Sequence, residues 1–355
     1  MSYARPQIER MQGYVPGEQP KVPGLIKLNT NENPYPPSPQ VLAALRAALD
    51  GRLRLYPDPQ CTGLRQIIGA RFTIDPDQIL IGNGCDDILN LCVRAFAGEG
   101  DNLAYFWPSY SLYPVLAGIQ GAATVELPLD EQFQFAAHAS MLQQLAGVRL
   151  VFITQPNAPS GVWLPKVELQ RVIEETDGVV VIDEAYVDFA ADDCLDFSRE
   201  YPNVLVARSF SKSYALAGMR LGWVTGAPAL IAALDKVKDS YNVNRLSQIA
   251  GEAAMADVPY FEEMRRKVKT TRQRVLERLA NWKFQVHPSQ TNFLFARPPA
   301  PLIAKQWFDG LRARNILIRW WDADRIREYG RVSIGTEEEM TAFLEATAAL
   351  TGSRH

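Results

Sequence analysis

Between Arg208 and Trp223 a single lysine, Lys212, stands among Phe210, Tyr214 and Leu216, with Ser209 and Ser211 before it and Arg220 eight positions on. Desolvation disfavours the charged form of an amine, so a lysine held among such side chains becomes nucleophilic near neutral pH. The two hydroxyls and the guanidinium are donors suited to a phosphate dianion. A lysine beside a phosphate pocket points to pyridoxal phosphate. Alone, Ser-x-Ser-Lys is a short pattern that an ordinary surface lysine also satisfies.

Other stretches carry groups that such chemistry needs. Gly178 to Asp183 is a continuous apolar run, as in a strand buried on both faces of a parallel sheet, and it ends in a carboxylate. An acid against a pyridine nitrogen keeps that nitrogen protonated and the ring able to accept electrons. Asp183 could instead cap a helix or, with Glu184, bind a divalent metal. Gly82-Asn-Gly-Cys-Asp-Asp links a short strand, Gln78 to Ile81, to a helix whose Ile88, Leu91, Cys92 and Ala95 fall at helical spacing. Glycines let backbone approach an anion closely, and free amides at a helix start attract it, so Gly84, Cys85 and Asp86 form a phosphate seat. The third glycine of a dinucleotide fingerprint is absent, and no Gly-x-x-x-x-Gly-Lys loop occurs. Tyr110 follows a strand at Asn102 to Phe106, at the end where ligands bind in open α/β sheets, although a core tyrosine fits the same pattern. Asn157, between two prolines after a strand at Val148 to Ile153, could donate to the cofactor's phenolic oxygen or serve only as a turn residue.

The elements that must position these groups fit a chain of 355 residues, long enough for one large and one smaller domain. With 47% hydrophobic and 22% charged residues it is an ordinary globular composition. Net charge is −3, and the Arg265 to Lys269 cluster reads as the solvated face of a helix, which argues against nucleic acid as a partner. No apolar run approaches the roughly 18 residues that span a bilayer, and Met1 to Arg10 lacks the apolar core of a signal peptide, so a cytoplasmic protein is expected. Cys61, Cys85, Cys92 and Cys194 read as reduced thiols; with three histidines in no ligand spacing, a metal site is not expected. Pro-rich residues 1–30 form an extended arm, and a helix from Pro39 to Leu49 is capped by Ser38. Leu230 to about Glu277 reads as helical, with long amphipathic stretches that suit a connector between two domains. Beyond it come strands at Trp282 to Val286 and Asn292 to Ala296, a helix at Pro301 to Arg314, and strands at Ile316 to Trp320 and Arg331 to Ile334. The division expected is an arm (1–30), a large domain (31–245) and a small C-terminal domain (246–355).

The sixteen residues from Arg208 to Trp223 resemble the lysine segment of the pyridoxal-phosphate aminotransferases, in particular the histidinol-phosphate aminotransferase family. The likeness extends to Lys27 to Pro39, to Tyr56-Pro-Asp, to the glycine turn, to Gln155-Pro-Asn-Ala-Pro-Ser-Gly, to Asp183 with Tyr186, and to Arg331-Val-Ser-Ile-Gly-Thr. The family usually has serine and glutamate where this chain has Cys85 and Asp87. The resemblance implies aminotransferase fold type I: a large α/β domain with a mostly parallel sheet between helices, plus a smaller α/β domain. It implies a homodimer in which Tyr56 reaches the partner's cofactor phosphate. Lys212 would hold pyridoxal phosphate as a Schiff base and shuttle the proton; Asp183 would face the ring nitrogen, Tyr186 and Asn157 the phenolic oxygen, and Tyr110 the ring face. Arg331, Arg319 and Tyr14 would bind the substrate anion. The reaction implied is ping-pong transfer of the amino group of histidinol phosphate to 2-oxoglutarate, giving glutamate. An aromatic amino-acid aminotransferase and a threonine-phosphate decarboxylase are the near alternatives, and a pyridoxal-binding regulator is the non-enzymatic one.

Overall fold

A computed structural model describes residues 3–353. Among the described residues thirteen strands occur in chain order: β1 (Ile26–Lys27), β2 (Ile79–Gly82), β3 (Asn102–Trp107), β4 (Ala123–Pro128), β5 (Val148–Thr154), β6 (Val179–Asp183), β7 (Val204–Ser209), β8 (Gly222–Gly226), β9 (Gln285–Val286), β10 (Phe293–Arg297), β11 (Ile316–Leu317), β12 (Arg319–Trp320) and β13 (Gly330–Ser333). Seven of them form one sheet in the order β2-β8-β7-β6-β5-β3-β4. Every pairing from β7 to β4 is parallel, and only β8 runs against its neighbours. The expected mostly parallel α/β architecture is therefore present. Alternate residues of these strands enter different cores, as a two-residue period requires. Ala104, Phe106, Val151, Ile153, Ile182 and Val206 pack on one face; Leu103, Tyr105, Leu150, Phe152, Val181 and Leu205 pack on the other.

The C-terminal part has its own antiparallel sheet, β12-β13-β10-β9, and its own core around Leu294, Trp307, Ile318, Val332 and Phe343. Leu28 joins that core, because β1 pairs in parallel with β11. The arm residues before β1 run mostly without regular structure, apart from a short helix at Pro6–Arg10. They are tied down by the Glu18 carboxylate on Arg312 and by Asn29 Nδ2 donating to the Glu18 carbonyl at 2.9 Å.

The helical connector consists of three helices, Pro228–Val237, Arg245–Ala256 and Val258–Asn281. Asn244 accepts from Ser247 N and Asp257 from Tyr260 N, so each side chain starts a new helix. The strand expected from Trp282 shrinks to β9, since the Trp282 N–H still donates to the Arg278 carbonyl at the helix end and Lys283 turns with φ +66°. Ile316 to Trp320 divides into β11 and β12, which pair with β1 and β13 respectively.

Candidate active site

The carboxyl ends of β3, β5, β6 and β7 open into a cavity of about 510 Å³, where ligands bind in open α/β sheets. Its wall includes Tyr14, Cys85, Asp86, Tyr110, Asp183, Tyr186, Ser209, Ser211, Lys212, Arg220, Arg319 and Arg331, twelve of the residues that the sequence singles out. They come from the arm, the large sheet and the C-terminal sheet.

Lys212 follows β7, and its Nζ donates to the Thr30 carbonyl at 3.1 Å. Burial, reinforced by Arg331, pushes its pKa down to about 8. Asp183 ends β6 and accepts three bonds: from Tyr113 OH at 2.9 Å, from Ala185 N at 3.1 Å and from the Cys85 thiol at 3.7 Å. Burial nonetheless raises its pKa to about 6. No cation is ion-paired with it among the described residues. The adjacent Glu184, once a possible metal partner, is engaged with Arg208, whose Nε donates to it at 2.8 Å. Tyr186 accepts at its hydroxyl from Asn31 Nδ2 at 3.0 Å, and burial raises its pKa. Tyr110 donates to Asp86 Oδ1 at 3.1 Å and meets Tyr14 edge to face at 5.8 Å.

The glycine turn is a tight seat. Gly84 has φ +94°, and a Cβ there would lie 2.6 Å from Arg220 Nη2; one on Gly222 would lie 2.8 Å from Cys85 N. The turn thus brings the start of the Cys85–Phe96 helix against Arg220, which also holds Asp86 Oδ2 at 3.2 Å. At the other end of the cavity Arg331 donates to the Asn29 carbonyl at 3.0 Å, and its Nε is buried without a partner. Burial lowers its pKa, and the neighbouring Arg319 adds to that.

Three expected residues stand apart from the wall. Gly84 lies behind Arg220. Asn157 lies behind Ala158 and Pro159, with Nδ2 donating to the Pro108 carbonyl at 3.2 Å and Ser160 Oγ at 2.8 Å, and its Oδ1 buried and unpartnered. Tyr56 is 80% exposed and stacks on Tyr241 at 4.4 Å. Sequence reasoning missed Tyr113, Asn31 and Thr30, which hold Asp183, Tyr186 and Lys212. Asn31 and Thr30 lie inside the quoted Lys27 to Pro39 segment; nothing local marks Tyr113.

The donor set fits pyridoxal phosphate. A buried carboxylate without a counter-cation suits a protonated ring nitrogen, a lysine of depressed pKa suits an aldehyde, and helix-start amides with Arg220 suit a phosphate.

Known proteins agree with this geometry. Residues 23–346 match the model of the aminotransferase class I and II family. A histidinol-phosphate aminotransferase of Synechocystis sp. is 44% identical over 349 residues, covering 98% of both chains. One of Geobacter sulfurreducens is 45% identical, over 96% of this chain and 97% of that one. The crystal structure of the Sinorhizobium meliloti histidinol-phosphate aminotransferase, in complex with pyridoxal 5′-phosphate, superposes with a TM-score of 0.88 at 26% identity, covering 99% of each chain. The chain therefore belongs to the class I and II aminotransferases and, within them, to the histidinol-phosphate aminotransferase family.

Proposed function

We propose that this protein is a pyridoxal-phosphate-dependent aminotransferase that moves the amino group of histidinol phosphate to 2-oxoglutarate. The observation that carries the reading is one cavity in which the Lys212 amine, the unpaired Asp183 carboxylate and the Arg319 and Arg331 guanidinia all meet. When bound, pyridoxal phosphate supplies an electron sink for the carbanion at the substrate α-carbon.

The chain's own groups do the rest. Lys212, with its pKa near 8, would tether the cofactor through its aldehyde carbon and, displaced by the substrate amine, would take the proton from the substrate Cα and deliver it to that same cofactor carbon. Asp183 would keep the ring nitrogen protonated, Tyr186 would face the phenolic oxygen and Tyr110 would pack against the ring, while Asn157, set behind the wall with its Nδ2 on Pro108 and Ser160, braces the loop beside the pocket. Ser209, Ser211, Arg220 and the amides of Cys85 and Asp86 bind the phosphate, while the Gly84 amide, expected to join them, donates to the Gly82 carbonyl at 2.8 Å and shapes the turn. The Cys85 and Asp86 amides need no serine hydroxyl, which is how the chain works with Cys85. Arg331, Arg319 and Tyr14 hold the substrate anion: the phosphate of histidinol phosphate in one half-reaction and a carboxylate of 2-oxoglutarate in the other.

The active form is a homodimer in this reading. Leu49, Leu53, Leu55 and Tyr56 are exposed together, an apolar patch of the kind that marks an interface, and Tyr56 lends its hydroxyl to the partner's phosphate seat. Among the described residues no helix is long and apolar enough to cross a membrane. All four cysteines are free and buried, which suits the cytosol.

Protein given pyridoxal phosphate, histidinol phosphate and 2-oxoglutarate should form glutamate, and Lys212→Ala should lose at least about a hundredfold in rate. Release of carbon dioxide from a phosphorylated amino acid, or turnover of phenylalanine or tyrosine but not of histidinol phosphate, would overturn the substrate assignment.

A further inference from the structure

The loop between β12 and β13 leaves the C-terminal sheet and lies across the large one. Arg325 donates to the carbonyls of Leu129, Asp130 (2.7 Å) and Trp107 (3.4 Å), and Ile326 and Tyr329 are buried in the core of the large sheet. This anchorage sets Trp321 in the cavity wall. The ring of Trp321 lies 5.2 Å from the Arg319 guanidinium carbon and 5.1 Å from that of Arg331, and Phe293 approaches Arg331 to 5.2 Å as well.

Two guanidinia this close repel each other, and among the described residues no carboxylate is ion-paired with either. A carboxylate there would neutralise the pair and occupy its N–H groups. An aromatic face attracts a guanidinium through its quadrupole and leaves the N–H edge free. We propose that Trp321 is a positioning and specificity residue for the substrate anion: it holds Arg319 and Arg331 together as one fork for a phosphate monoester dianion. The inference rests on the substrate reading above.

Trp321→Leu and Trp321→Phe would be compared with the wild-type holoenzyme for kcat and KM with histidinol phosphate, and for the dissociation constant of inorganic phosphate by calorimetry. Leucine should raise KM and the phosphate constant each by about tenfold with kcat nearly unchanged, and phenylalanine should restore most of the loss. Trp321→Met replaces the leucine variant if that one does not fold. Unchanged constants in the leucine variant, an equal loss in the phenylalanine variant, or a fall in kcat at constant KM would overturn the role. Failure of the wild type to turn over histidinol phosphate would sink the substrate reading instead, and phosphate binding would still decide on Trp321.

Discussion

Lys212 illustrates how a reactive residue strains the fold that holds it. Its amine is protonated up to about pH 8 when folded but to an ordinary 10.5 when unfolded. Below pH 8 both states carry the proton, so the full penalty of burying the charge falls on the folded state. Between 8 and 10.5 the unfolded chain binds more protons, and stability rises with pH until the penalty is gone. Without cofactor, Lys212→Met should therefore be more stable than the wild type at pH 7, by up to roughly 3 kcal/mol. Urea unfolding across pH would show this gap closing toward pH 10.5, and a gap independent of pH would refute the cause. Lysine, serines and arginine were legible because one stretch of sixteen residues holds them all. The partners that tune them were not: Tyr113 meets Asp183 across 70 positions, and Asn31 meets Tyr186 across 155.

At the level of elements, capping side chains decide where helices begin. Ser38 Oγ accepts from Gln40 N at 3.0 Å and donates to Asp257, which caps the Val258–Asn281 helix. One hydroxyl thus serves two helix starts 219 residues apart. Ser38→Ala should cost about 1–2 kcal/mol, seen as a lower urea midpoint with the slope unchanged. The cap at Ser38 was readable because proline and an alanine-rich run follow it directly. The break at residues 238–244, where Asp239, Ser240, Asn242 and Asn244 are turn formers, is a local signal that the apolar pattern on either side obscures; there the chain turns to set Asn242 Nδ2 on the Ile81 carbonyl at 2.9 Å. Apolar periodicity reports which face is buried; it does not register a change of direction. Even so, the ends of β3, β5 and β6 fall within a residue or two of the expected positions, because buried parallel strands are written as unbroken apolar runs.

At the scale of the whole molecule, the proposed dimer makes each cavity depend on two chains. Mixing Tyr56→Ala with Lys212→Ala subunits, each nearly inactive alone, should restore activity after subunit exchange, because one site of a mixed dimer then has an intact lysine and an intact partner tyrosine. Activity that stays at the sum of the two parents would refute the contribution in trans. The parallel sheet and the ordered motifs were visible in the sequence, whereas the joining of β1 to β11 was not, since two-residue strands leave no period to read.

That short pairing has a consequence for how the enzyme is made. Ile26 and Lys27 are made well before the strand they pair with, at Ile316 and Leu317, and Asn31 N waits for Ser333 Oγ. Thr30, which receives the Lys212 amine, sits between these two ties. The large sheet can form from residues made earlier, but the Thr30 wall of the pocket is fixed only once β11 and Ser333 have been made. Lys212 is therefore enclosed only by the joining of segments 302 residues apart, a contact that can form only after both have been synthesised.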